Sequence, residues 1–155
     1  MKTGIVFPGA EGRQRHVGQI RTTIEVANAL DVGKRRYGEI GDEQVRRATL
    51  DRVLVDTGAT LLALPARIIE QLGLKLLREV DIETATGFTT ARIFGDVSLT
   101  VEGRTAPFEC LEMPGGDSVL LGVLPLEALG LELDLQNQRL IVLPDRGPDT
   151  YVMAL

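Results

Sequence analysis

An all-β domain with one or two short helices is the fold class predicted for this chain of 155 residues, and three observations predict it. Short strand-like runs recur at 22–27, 52–55, 131–135 and 139–143, the first two rich in β-branched residues. Over 96–102, Val97, Leu99 and Val101 alternate with Asp96, Ser98, Thr100 and Glu102, the period of a half-buried strand. Only two segments, 64–74 and 124–131, carry helical spacing and helical punctuation.

Taken along the chain, residues 1–20 mix Gly, Arg and Gln without periodicity and are expected to form a flexible arm. The folded body is expected over 21–144. Within it, residues 29–44 make a polar connection between the first two strands, for which a solvated loop is the default. In the first helical segment Pro65 suits the helix start and Gly73 the C-terminal cap, with Ile68, Ile69 and Leu72 as the apolar stripe. Residues 105–111 are a further strand, but Pro107 removes a ladder donor and puts it at an edge or a bulge. Gln136-Asn137-Gln138 joins the last two runs as a hairpin. Residues 145–155 form a tail in which Tyr151-Val152-Met153 can pair as an edge strand between subunits.

The two helical segments resemble each other. Both begin Leu-Pro and end Leu-Gly-Leu, and each follows an apolar strand that runs into a glycine: Leu54-Val55-Asp56-Thr57-Gly58 and Val119-Leu120-Leu121-Gly122. An internal duplication of strand, glycine turn and helix is expected.

Composition narrows the chemistry. The chain is 44% hydrophobic and 25% charged, with 17 Lys and Arg against 22 Asp and Glu, as in an ordinary globular domain. A single cysteine, Cys110, rules out an internal disulfide, and one histidine, His16, with two serines, Ser98 and Ser118, leaves little for a zinc site or a Ser-His-Asp triad. Any catalysis is expected to rest on carboxylates, without metal or cofactor. Residues 1–55 carry 10 basic and 7 acidic side chains, but Lys34-Arg35-Arg36 and Arg46-Arg47 have one aromatic neighbour, Tyr37, so a solvated face is expected and no nucleic-acid partner. The longest nearly apolar run, 119–126, is far short of the roughly 20 residues that span a bilayer. The segment Ile5-Val6-Phe7 is too brief for a secretory signal, so no membrane partner and a cytoplasmic protein are expected.

Four smaller candidates carry bland expectations. Cys110 shares a strand face with Phe108 and reads as a buried core thiol. Gly115-Gly116-Asp117 reads as a turn, since it lacks the lysine and helix of a phosphate loop. The acid pairs Glu109 with Glu112 and Asp81 with Glu83 have no histidine near them and read as solubilising.

The strongest local signal is Val53-Leu54-Val55-Asp56-Thr57-Gly58-Ala59-Thr60. A carboxylate placed straight after an apolar strand is costly to bury unless it is paired, hydrogen-bonded or functional. Thr57 offers a hydroxyl and Gly58 a tight backbone approach, although Asp-Thr-Gly is also good surface-turn chemistry. Context favours function. The motif resembles the active-site signature of retropepsin-type aspartic proteases, an apolar strand leading into Asp-Thr-Gly-Ala. Leu120-Leu121-Gly122 is similar to that family's second signature, and Glu83-Thr84-Ala85-Thr86-Gly87-Phe88-Thr89-Thr90 stands where the family has its flap hairpin.

The resemblance covers roughly residues 22–143 and implies a closed barrel or β-sandwich, one lobe per chain. It implies Asp56, Thr57 and Gly58 as catalytic residues. For substrate contacts it implies Ala59, Ala85, Thr86, Gly87, Phe88, Leu121 and Gly122. Such enzymes need two carboxylates in one site, and this chain holds a single Asp-Thr-Gly, so the second is expected from Asp56 of an identical partner across a twofold axis. Thr57 is expected to brace that partner, and Leu120, Leu121 and Gly122 to pack beneath the Asp56 loop. The implied activity is endopeptidase cleavage of a peptide or protein substrate. Viral flaps are richer in glycine, so a hairpin with Gly87 alone is expected to be stiffer. Two other readings stand beside this one: a catalytically inactive peptide-binding or dimerisation module on the same fold, and a carboxylate-dependent hydrolase of another fold with both acids in one chain.

Overall fold

Alternating apolar residues make strands, and in this chain the strands close on themselves. The computed structural model describes residues 5–6 and 19–144. In order these are β1 (Ile5–Val6), β2 (Ile20–Asn28), α1 (Ala29–Arg36), a 3-10 turn (Asp42–Gln44), β3 (Arg47–Val55), β4 (Leu62–Leu64), α2 (Ala66–Leu72), β5 (Lys75–Thr84), β6 (Gly87–Val101), β7 (Arg104–Glu112), β8 (Leu120–Leu121), α3 (Val123–Leu129), β9 (Leu131–Asp134) and β10 (Arg139–Val142). The strands run β1-β5-β6-β2-β3-β8-β4-β7 in one mixed sheet, and β7 pairs a second time with β6. Six strands therefore form a ring, from which β5 and β1 extend beside the first half of β6. The all-β class with one lobe per chain holds. The expected strand at Tyr151-Val152-Met153 and most of the expected arm lie outside the described residues. Within that arm, Ile5–Val6 pairs in parallel with Ile82 and Glu83 of β5.

The predicted alternation sets the interior. Val97, Leu99 and Val101 are fully buried, beside Ile20, Ile24 and Val26 from β2 and Val53 and Val55 from β3. Leu62 and Leu64 of β4, Ile68 and Leu72 of α2 and Leu126 and Leu129 of α3 join the same core cluster. Pro107 sits opposite Ser98 on the stretch of β7 that β4 does not reach, so its missing N–H leaves no gap in a ladder.

The internal repeat is a structural one. Both α2 and α3 have seven residues, and each ends on a glycine in left-handed conformation, Gly73 at φ 66° and Gly130 at φ 72°. Each of these caps also lies against a guanidinium: Arg46 flanks Gly73, and Arg104 donates to the carbonyls of Leu129 and Gly130. Arg104 bonds the Leu143 carbonyl as well, tying the β9–β10 hairpin to the end of α3.

The expectation of a solvated loop over 29–44 is corrected, since residues 29–36 form α1. The helix has no apolar stripe to signal it: Leu30 and Tyr37 are exposed, and its anchors are polar. Asn28 caps it by accepting from the Asp31 N–H at 3.0 Å, while the Asn28 amide donates to the Leu72 carbonyl at 2.8 Å. Buried Asp31 accepts from Arg46 Nε at 2.8 Å, Nη2 at 3.1 Å and the backbone N–H at 3.1 Å. Lys34, Arg35 and Arg36 fill the last turn, where positive charge suits the helix dipole. Two of the expected surface cations, Arg35 and Arg47, pair with Asp42. Among the described residues, no helix is long and apolar enough to cross a membrane.

The Arg46 hydrogen bond holds the Asp31 carboxyl below its usual range, against the opposing effect of burial. A depressed carboxylate stabilises the fold above the unfolded value, about 3.9, and that contribution fades as pH falls through the lower folded value. Asp31→Asn is expected to lower the urea midpoint at pH 6 and to show a smaller further drop than wild type between pH 5 and pH 3. Parallel slopes for the two proteins over that window would remove Asp31 from the pH response.

Candidate active site

The site begins with β3, whose buried Val53 and Val55 carry the chain inward and deliver Asp56 at the strand end. The Asp56 N–H donates to the Leu121 carbonyl at 3.0 Å, and the Ala59 N–H donates back to the Asp56 carbonyl at 3.1 Å. Asp56 Oδ1 accepts the Gly58 N–H at 2.8 Å. A Cβ on Gly58 would lie 3.1 Å from that oxygen, so glycine leaves the turn room to close on the carboxylate. Asp56 is half-buried, Thr57 and Gly58 are exposed, and Ala59 is buried. The Thr57 hydroxyl makes no hydrogen bond within the described chain.

The floor of the loop comes from the second copy of the repeat. β8 runs parallel to β3, with Leu54 opposite Leu120 and Val55 opposite Leu121, and β4 joins β8 at Ala63. Past the strand, the Val123 N–H donates to the Ala59 carbonyl at 3.0 Å and the Leu124 N–H to the Thr60 carbonyl at 3.1 Å. Gly122 is wedged between them: a Cβ there would fall 2.5 Å from the Leu61 carbonyl oxygen and 2.6 Å from the Thr60 carbonyl carbon. The structure thus gathers Asp56, Thr57, Gly58, Ala59, Leu121 and Gly122 into one unit.

The expected hairpin is present and longer than the sequence suggests, running through β5 and β6 with Ala85 and Thr86 at its turn. Gly87 takes φ 123°, and the Thr84 hydroxyl donates to the Gly87 carbonyl at 2.9 Å while accepting the Thr86 N–H at 3.3 Å. The tip is braced by its own side chain, and Phe88 beside it is exposed. Ala85, Thr86, Gly87 and Phe88 thus stand on the hairpin, apart from the Asp56 loop. What joins hairpin to loop is apolar: Ile82 packs with Ala63, Ala91, Ile93, Leu111 and Leu120, and Leu54, Leu61, Val80 and Met113 close on that cluster. Sequence reasoning assigned none of those last four to the site. Leu54 was within reach, because it stands two residues before Asp56 on the same strand face. Leu61 and β4 were not, since a three-residue strand has no period to read.

Other side chains fix the base of the hairpin. Arg78 pairs with Glu109 at 2.7 Å and Arg92 with Glu112 at 2.9 Å, both bidentate, strapping β5 and β6 to β7. The acid pair Glu109 and Glu112 is therefore engaged by guanidinium groups, and Arg78 holds the Glu109 carboxyl below its usual range. Arg92 also lies over the Phe94 ring at 5.2 Å. Cys110 is fully buried, and burial chiefly, with Glu112 and Glu109 adding, pushes its thiol up to about 12. Such a thiol stays protonated and is no nucleophile. Among the described residues, no group of three His, Cys, Asp or Glu could hold a metal.

Two outcomes test this geometry. Gly122→Ala is expected to cost about 1–3 kcal/mol of stability, as overpacking against backbone does, read as a lower denaturation midpoint. Iodoacetamide at pH 8 is expected to leave Cys110 unmodified in the folded chain and to label it once urea unfolds the protein, followed by intact mass.

The chain's match to known sequences agrees with these features. The family model described as gag-polyprotein putative aspartyl protease matches residues 42–128, more than half of the chain, from the 3-10 turn through β3, the Asp56 loop and the hairpin to α3. No curated protein matches it in sequence. With its closed β fold and its Asp-Thr-Gly loop resting on Leu121 and Gly122, the chain belongs to the retropepsin-like aspartyl protease family.

Proposed function

We propose that this protein is an aspartic endopeptidase that works as a homodimer, with water activated between Asp56 and its symmetry mate. One observation carries the reading: Asp56 sits on an open loop, and its carboxylate has one hydrogen-bond partner in the described chain, the Gly58 N–H. A lone acid of this kind is half of a catalytic pair. Two such loops facing each other put two carboxylates in one site, where mutual repulsion leaves the pair holding a single proton. The ionised carboxylate takes a proton from water as the oxygen attacks the peptide carbonyl carbon. The protonated carboxyl donates to the carbonyl oxygen, giving a tetrahedral diol. Collapse breaks the C–N bond, and the amine leaves with a proton returned by the pair.

The remaining residues take supporting roles in this reading. The Gly58 N–H holds Oδ1 in place, and the Thr57 hydroxyl, without a partner among the described residues, reaches across to the partner loop. Exposed Leu124, which follows the Gly122 wedge, supplies apolar area for the same contact. Ala59, Leu121 and Gly122 form the floor. The hairpin tip at Ala85, Thr86, Gly87 and Phe88 covers an extended substrate and pairs with its backbone. The Thr84 brace also supports a second reading, an inactive peptide-binding or dimerisation module whose stiff hairpin does not close.

Asp56→Asn separates the two. With a denatured protein as substrate between pH 4 and pH 7, the variant is expected to lose at least about a thousandfold in cleavage rate, the scale of removing one member of a catalytic set, while sedimenting as the same dimer. Equal inactivity of wild type and variant would favour the inactive module. Full activity from a stable monomer would overturn the shared-dyad mechanism.

A further inference from the structure

A cavity of about 460 Å³ opens between β2, β3, α2 and the turn ahead of β8. Leu54 and Leu120 line it, each two residues ahead of a member of the candidate site, Asp56 and Gly122. It is therefore continuous with the strands that carry the site. Three arginines line it as well: Arg21 from β2, Arg52 from β3 and Arg67 from α2.

The charges there do not cancel. Of the two lining carboxylates, Asp117 is paired with Arg67 at 3.4 Å, and Asp51 accepts the Thr23 hydroxyl at 3.1 Å. Arg21 donates to the Arg52 carbonyl at 3.0 Å and to Gln19 Oε1 at 3.2 Å, which lays one guanidinium along the backbone of the other arginine. Among the described residues neither Arg21 nor Arg52 has an acidic partner. Arg52 also has φ 59°, left-handed for a residue with a side chain, beside the register shift in the β2–β3 pairing. In a chain of formal net charge −5, two unpaired guanidiniums at the lip of one cavity stand out from their surroundings.

We infer that this cavity is a substrate subsite for an acidic side chain, held by Arg21 and Arg52. The inference rests on the endopeptidase reading. Arg52 precedes Asp56 by four residues on a strand that rises about 3.3 Å per residue, so its backbone lies roughly 13 Å from the carboxylate. For an extended substrate that runs alongside β3 in this reading, the same rise places its Asp or Glu about three to five residues from the cleaved bond. A twofold dimer carries the subsite twice, so the acid is favoured at that distance on both sides of the bond. Guanidinium forks match carboxylate geometry, and the preference weakens as salt rises.

The test uses dodecapeptides in which one Glu is scanned through every position, each with a Gln counterpart, digested by the full chain and read by mass spectrometry. Wild type is expected to cleave Glu peptides at least about threefold faster than Gln peptides when the acid lies three to five residues from the cut, the scale of an exposed ion pair. Arg52→Gln and Arg21→Gln are expected to flatten that ratio, and Arg52→Lys to restore part of it. A ratio near one in wild type, or one unchanged in both Gln variants, overturns the inference while leaving proteolysis intact. Binding of the same peptides, fluorescein-labelled, to Asp56→Asn by anisotropy gives a readout independent of turnover. If no peptide is cut, the endopeptidase reading fails, and the Glu-over-Gln binding ratio and its loss in Asp56→Asn with Arg52→Gln decide the subsite alone.

Discussion

Everything at the candidate site depends on two backbone segments that meet edge to edge, the loop after β3 and the turn after β8. Their N–H and C=O groups satisfy one another, from Asp56 to Leu121 and from Val123 and Leu124 back to Ala59 and Thr60. Buried backbone groups must find partners, and here each segment finds them in the other. The approach is so close that only glycine fits at 122. The consequence is a carboxylate set firmly by its main chain yet facing outward, with a single donor on one oxygen among the described residues.

That arrangement follows from the repeat. Each copy leads from a strand through a glycine turn to a seven-residue helix capped by a left-handed glycine, with β4 added ahead of the helix in the first, and the strands β3 and β8 lie side by side in parallel. The copies diverge in what their turns carry: the first ends in Asp-Thr-Gly, the second in Leu-Leu-Gly. The first carries the carboxylate of the candidate site, and the second packs beneath it. The hairpin belongs to neither copy. It is tethered through apolar packing at Ile82 and guanidinium straps at its base, so its tip is the part least bound to the core. The Thr84 hydroxyl braces its turn from within, where the sequence offers Gly87 alone.

The amino-acid sequence by itself determined what short-range patterning can encode. Alternation at 96–102 marks the buried face of β6, Gly73 and Gly130 mark two helix ends, and an acid set straight after Val53-Leu54-Val55 marks the site. Only the tertiary structure decided the rest, because the forces there act between residues far apart in the chain or through polar contacts that leave no hydropathy signal. Helix α1 forms because Asn28 and Asp31 reach Leu72 and Arg46, not because it has an apolar stripe. Strand β4 exists because β7 and β8 flank it, and the Arg21–Arg52 contact because β2 and β3 slip register beside a left-handed residue.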